Sequence, residues 1–147
     1  MARRSNSCPS GWIAGPFTNC YKFVISQKVT WRAAQGLCRD MGGTLATLDS
    51  KNEIIWMRGY RSYHPSLWGA AWLGGYLKDG VWLWHGRIAD SAITNTDWSP
   101  GEPNNQDGLE GCVEVYGGDV TLSAQFRWND LNCNDLLGYI CEKEISF

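Results

Sequence analysis

Six cysteines in 147 residues, Cys8, Cys20, Cys38, Cys112, Cys133 and Cys141, constrain this chain more than any other feature. An even count without a Cys-x-x-Cys spacing reads as a disulfide framework rather than a metal or redox site. Six cysteines allow fifteen connectivities, and spacing does not choose among them. Such bridges persist only where the medium is oxidising, so the chain is expected outside the cell or in a lumen. A chain of this length can bury one real core and has little room for two. The net charge of −2, with no basic stripe to neutralise phosphates, argues against a nucleic-acid partner. No stretch approaches the ~20 apolar residues of a membrane span.

The chain shows no repeat, linker or low-complexity tract. Residues 1–7 carry no apolar run and are expected to be disordered or left over from expression, with any natural leader removed and Met1 added. Residues 8–147 read as one domain. Asn6 and Asn95 both fail as glycosylation acceptors at the third position. A short hairpin is expected between Cys8 and Cys20. Thr30 is placed to cap a first helix, in which Trp31, Ala34, Leu37, Cys38 and Met41 recur at near-helical spacing until Gly42-Gly43 ends it. Ser50 and Glu53 form a capping-box pattern for a second helix, through Ile54, Ile55 and Met57 to about Gly59. Beyond it, Ala71 to Gly74, Val81 to Trp84, Cys112 to Val115, Phe126 to Trp128 and Tyr139 to Glu142 read as strands. Two helices followed by short antiparallel strands predict an α+β domain.

The interval from His85 to Gly111 departs from this pattern. It is rich in Asp, Ser, Asn, Thr, Pro and Gly, and a loop of that length in a compact domain is usually functional. Near its end stand Glu102-Pro103-Asn104 and then Glu110; beyond it comes Trp128-Asn129-Asp130. Glu102, Asn104, Glu110, Asn129 and Asp130 supply three carboxylates and two carboxamides. These are hard oxygen donors, suited to Ca²⁺, which takes about 6–8 oxygens, and not to zinc or a thiolate metal. A cis Glu102–Pro103 bond, available to X-Pro at small cost, would turn both flanking side chains to one side.

With its six cysteines, Trp72-Leu73-Gly74, Trp98-Ser99-Pro100-Gly101, Glu102-Pro103-Asn104, Glu110, Trp128-Asn129-Asp130 and Tyr139-Ile140-Cys141-Glu142, the chain resembles a C-type lectin-like carbohydrate-recognition domain. The resemblance is to the long form, as in small secreted invertebrate, perlucin-like lectins, and covers about residues 8 to 143. It implies a C-type lectin-like fold with a long Ca²⁺-binding loop and three bridges: Cys8 with Cys20, Cys38 with Cys141, and Cys112 with Cys133. The longest loop so closed is worth ~4–5 kcal/mol on the chain-entropy account, and the other two roughly 3 each.

The same resemblance makes Glu102, Asn104, Glu110, Asn129 and Asp130 both the ligands of one Ca²⁺ and the groups that bind sugar, with the Asp130 carbonyl adding an oxygen. A bound carboxylate can accept a hydroxyl proton on its second oxygen, and a bound carboxamide can still donate from its NH₂. Glu before Pro and Asn after it goes, in the family, with mannose, N-acetylglucosamine and fucose; Gln-Pro-Asp goes with galactose. Residues 105–109 hold no aromatic side chain to stack on a galactose face. Mannose-type glycans, including microbial surface polysaccharides, are therefore the expected partners, with innate immune recognition as the implied role. Galactose remains the alternative, because Trp68, Trp72, Trp82 or Trp84 could stack a sugar docked in reverse. A protein- or mineral-binding module is a further alternative. Acids expected for an accessory ion fall at Asn105 and Gly111, so one ion is expected, with Asp107 an outside candidate for a second. Oligomerisation through the domain surface is open.

Duller readings apply to the remaining signals. Trp98 and Trp128 read as core anchors, as does at least one of Trp82 and Trp84. His64 and His85 read as lone surface residues, and Arg58 and Arg61 as a solvated helix end. An enzyme is not expected: a glycosidase needs a proton-bearing acid astride the bond, whereas these carboxylates are better ionised ligands, and no nucleophile–histidine arrangement is evident.

Overall fold

The computed structural model describes residues 8–105, 108 and 110–145. Residues 1–7, expected to be disordered, and Asp107, the candidate for a second ion, lie outside them. In chain order the elements are β1 (Ile13–Ala14), β2 (Asn19–Val29), α1 (Trp31–Asp40), β3 (Thr44–Leu45), α2 (Lys51–Ser62), a 3₁₀ turn (Pro65–Leu67), β4 (Ala71–Lys78), β5 (Val81–Trp84), β6 (Ser91–Ala92), β7 (Cys112–Val115), β8 (Trp128–Leu131) and β9 (Leu137–Glu144).

Both helices begin where their caps place them. Thr30 is extended and its Oγ1 accepts the Ala33 N–H at 3.2 Å, satisfying one donor that the first turn leaves open. Gly42, at φ +88°, reverses the chain after α1 and donates its N–H to the Arg39 carbonyl. At α2 the Ser50 hydroxyl accepts from the Glu53 N–H at 3.2 Å and donates to Glu53 Oε1 at 2.8 Å.

α2 runs three residues beyond the expected end at Gly59, because tertiary contacts hold its last turn. Tyr60 stacks on Trp56 at 5.4 Å, and Arg61 is fully buried. This corrects the reading of Arg61 as a solvated residue. Its guanidinium donates to the carbonyls of Leu67, Tyr116 and Gly69 and lies 5.3 Å from the Phe126 ring. The side chain that looked like a solvated helix end instead ties α2 to the turn after it and to the end of β7. Arg58 is also committed: with Arg127 it pairs to the buried Asp97 carboxylate.

One sheet collects the strands in the order β1-β2-β9-β4-β5-β6, with β3 on β9 and the β7–β8 pair on β4. It is mixed rather than antiparallel. β4 and β9 run parallel, with Ala71 opposite Gly138 and Trp72 opposite Tyr139. A parallel neighbour needs a long crossover, and the excursion between these two strands supplies it. β2 is 11 residues long, runs well past the expected hairpin to Val29 and pairs with β9. The strand expected at Phe126 starts instead at Trp128, since Phe126 sits at φ +59°, and it runs on through Asn129 and Asp130.

The bridges are Cys8–Cys20, Cys38–Cys141 and Cys112–Cys133. Trp72, Trp84 and Trp128 are buried, and Trp82 and Trp98 pack against the core that holds Trp84 and Trp128. Trp98 meets Trp128 edge-on at 5.8 Å, which seats the middle of the long loop on β8.

Candidate functional site

β7 and β8 form the floor of the site. Their antiparallel register sets Glu114 opposite Asn129 and Val113 opposite Asp130. The long loop is moored to this floor by its backbone. Trp128 donates to the Asp97 carbonyl at 2.8 Å, Ser99 donates to the Trp128 carbonyl at 2.7 Å, and Glu102 donates to the Ser99 carbonyl at 2.9 Å. The Glu102–Pro103 bond is cis, as the sequence suggests.

Asp130 closes the connection. It is fully buried, and its two oxygens accept the backbone N–H groups of Asn104 at 3.1 Å and Asn105 at 2.6 Å. Asn105, at φ +45°, accepts the Glu110 N–H on its side-chain oxygen at 3.1 Å, folding the loop back. The chain thus brings Glu102, Asn104, Glu110, Asn129 and Asp130 into one neighbourhood. Asn129 and Asp130 are buried in the floor, Glu102 and Glu110 are half-buried, and Asn104 is exposed.

Charge is crowded here. Burial raises the Glu102 pKa, and the Asp130 and Glu110 carboxylates raise it further, against a lowering by the Asn104 backbone N–H. Glu102 Oε1 is buried with no hydrogen-bond partner among the described residues. A buried carboxylate oxygen without a donor is costly, and two neighbouring acids increase the cost. A hard divalent cation would relieve both, so the donor set fits Ca²⁺. Among the described residues, acidic, His and Cys side chains alone form no metal-holding group of three.

Glu114 was not anticipated. It is 5% exposed, its pKa is pushed up to about 7 by burial, and it accepts the Asn129 Nδ2–H on Oε2 at 2.7 Å. A glutamate inside the otherwise apolar run Cys112–Val115 was the available signal. Asp97 was also missed: 7% exposed, it holds Arg58 and Arg127 beneath the loop.

The tryptophans divide. Trp72 and Trp84 are too buried to stack a sugar, which removes them as candidates. Trp68 donates its indole N–H to the Arg61 carbonyl at 2.8 Å, and Trp82 packs on Trp98 at 5.1 Å; both keep some surface. His64 stacks on Tyr60 and is exposed. His85 is not lone: the chain after β5 turns back over α1, where Gln35 and Arg39 reach its Nε2 while Asp90 lies 3.4 Å from Nδ1.

The fold has counterparts among known proteins. The family profile described as Lectin C-type domain matches residues 27–143. Perlucin from Haliotis laevigata is 34% identical over 139 residues, covering 93% of this chain and 83% of that one. Ladderlectin from Oncorhynchus mykiss is 29% identical over 136 residues, but they span 91% of this chain and only 66% of ladderlectin. Among solved structures, the SPL-1 complex with GlcNAc superposes with a TM-score of 0.77 at 27% identity, covering 95% of this chain and 96% of that one.

Proposed function

Because the chain belongs to the C-type lectin family, we propose that it binds mannose-type glycans in a Ca²⁺-dependent manner, through Glu102, Asn104, Glu110, Asn129 and Asp130. The observation that carries this reading is the buried, unpartnered Glu102 oxygen beside the Asp130 and Glu110 carboxylates. Bound Ca²⁺ would supply the electrophilic centre against which a sugar's adjacent hydroxyl oxygens rest. The protein's part is to orient them. Glu102 and Glu110 accept hydroxyl protons, and Asn104 and Asn129 donate N–H groups. Asn129 has one N–H engaged by Glu114 and keeps the other.

The order Glu102-Pro103-Asn104 places acceptor before donor, the arrangement suited to mannose, N-acetylglucosamine and fucose. A monosaccharide held this way binds weakly: a Kd near 1 mM corresponds to about −4 kcal/mol. Useful avidity then needs several sites on clustered glycans, such as microbial polysaccharides, or self-association of the chain. The three disulfides support a secreted protein, and among the described residues no helix is long and apolar enough to cross a membrane.

Retention on immobilised mannose and galactose, each in Ca²⁺ and in EDTA, tests the reading. Retention on mannose, released by EDTA, is expected. Retention on galactose alone would overturn the acceptor–donor argument and point to Trp68 or Trp82. Retention on neither would favour a protein partner.

A further inference from the structure

We infer that Glu114 is a positioning residue of the sugar site, whose buried carboxylate decides which end of the Asn129 carboxamide faces the ion. The inference rests on the proposed Ca²⁺-dependent reading and adds a residue outside the five that hold the ion.

The geometry is that of a directly opposed pair on antiparallel strands, with Glu114 on β7 facing Asn129 on β8. The two side chains are 5% and 8% exposed, so water offers little competition for their 2.7 Å hydrogen bond. The Asn129 Nδ2–H donates to Glu114 Oε2, so Asn129 presents its NH₂ to Glu114. Its Oδ1 is then directed away from Glu114 and is available as a metal donor. Amide oxygen and nitrogen are nearly identical in shape, and without such a neighbour a carboxamide can turn over at small cost. Turned over, Asn129 would offer the ion an NH₂, which is no ligand. Glu114 also stands between Val113 and Val115 in a buried strand, a position where an apolar residue would cost less. A role in holding Asn129 accounts for a carboxylate there.

The test is a polarity swap. E114Q keeps the shape but introduces a side chain that can donate as well as accept, so the Asn129 amide loses its preferred orientation. N129D sets two carboxylates face to face. E114Q/N129D restores one donor and one acceptor with an oxygen still turned to the ion. Calorimetric Ca²⁺ titration is expected to show E114Q weakened about tenfold, within the usual range for groups that orient metal ligands. N129D is expected to be weakened at least as much, and the double variant to return to within a few-fold of the unmodified chain. In EDTA, the E114Q melting temperature should not fall, and the side-chain amide proton signal of Asn129 should move upfield as its bond to carboxylate is lost. Unchanged Ca²⁺ affinity in E114Q, or a double variant no better than the combined single effects, would overturn the inference while leaving the site itself intact. Failure of the unmodified chain to bind Ca²⁺ would instead remove the underlying reading and this role with it.

Discussion

Two sets of buried acids in this protein are handled in opposite ways. Under α2, Glu142 takes the Thr47 backbone N–H and hydroxyl on one oxygen and the Asn19 amide on the other. Beside it, Glu53 takes the Ser50 and Tyr21 hydroxyls. In the long loop, Asp130 is answered by the Asn104 and Asn105 N–H groups, yet Glu102 Oε1 next to it has no partner among the described residues. A chain able to complete one buried carboxylate set from its own donors has left an oxygen of the other open. The first set therefore reads as architecture and the second as a place for something brought from solution.

The largest expected effect sharpens that contrast at Asp130. Asp130→Ala removes a proposed ion ligand and releases two backbone donors of the loop. Ca²⁺ and sugar binding should fall by at least about 100-fold, roughly 3 kcal/mol, while circular dichroism still reports a folded core held by its bridges. Retained binding would break the ligand assignment. On the other side, Glu142→Ala strands three donors and should cost about 2–4 kcal/mol in denaturant unfolding, yet leave retention on mannose intact. Loss of sugar retention with an unchanged unfolding midpoint would reverse the comparison.

A smaller effect comes from pH. Burial pushes the Glu142 pKa up to about 7, from an ordinary 4.5. The folded state thus holds a proton that the unfolded chain has released. This contribution is full below pH 4.5 and is lost as pH rises through 7. In EDTA, raising pH from 5 to 8 should lower the unfolding free energy by on the order of 2–3 kcal/mol through this group. Glu142→Gln should flatten its share of the slope. An unchanged slope would mean that Glu142 is ionised throughout. The smallest effect concerns selectivity. Glu102→Gln with Asn104→Asp should move preference from mannose toward galactose by about tenfold, or 1.4 kcal/mol, read by competition for an immobilised glycan. An unaltered profile would place sugar orientation elsewhere.

Local chemistry made much of the fold legible. Thr30, Ser50 and Glu53 are caps whose hydrogen bonds depend on neighbours three residues away, and the sequence carries such spacings directly. The length of α2 was not legible, because the Arg61 partners lie in other elements: the carbonyls of Leu67, Gly69 and Tyr116. The parallel pairing of β4 and β9 escaped for the same reason, since it joins residues more than sixty positions apart. At the site, hard-donor chemistry and family spacing marked five residues. Glu114 stayed hidden because its role exists only through the cross-strand register that sets it against Asn129.

The open Glu102 oxygen lies at the heart of the proposed Ca²⁺ site. Calorimetric titration of Ca²⁺ into the chelator-stripped chain and its Glu102→Gln variant tests it most directly. Saturable binding is expected for the unmodified chain, weakened at least about tenfold in the variant. Superimposable isotherms for the two proteins would contradict it.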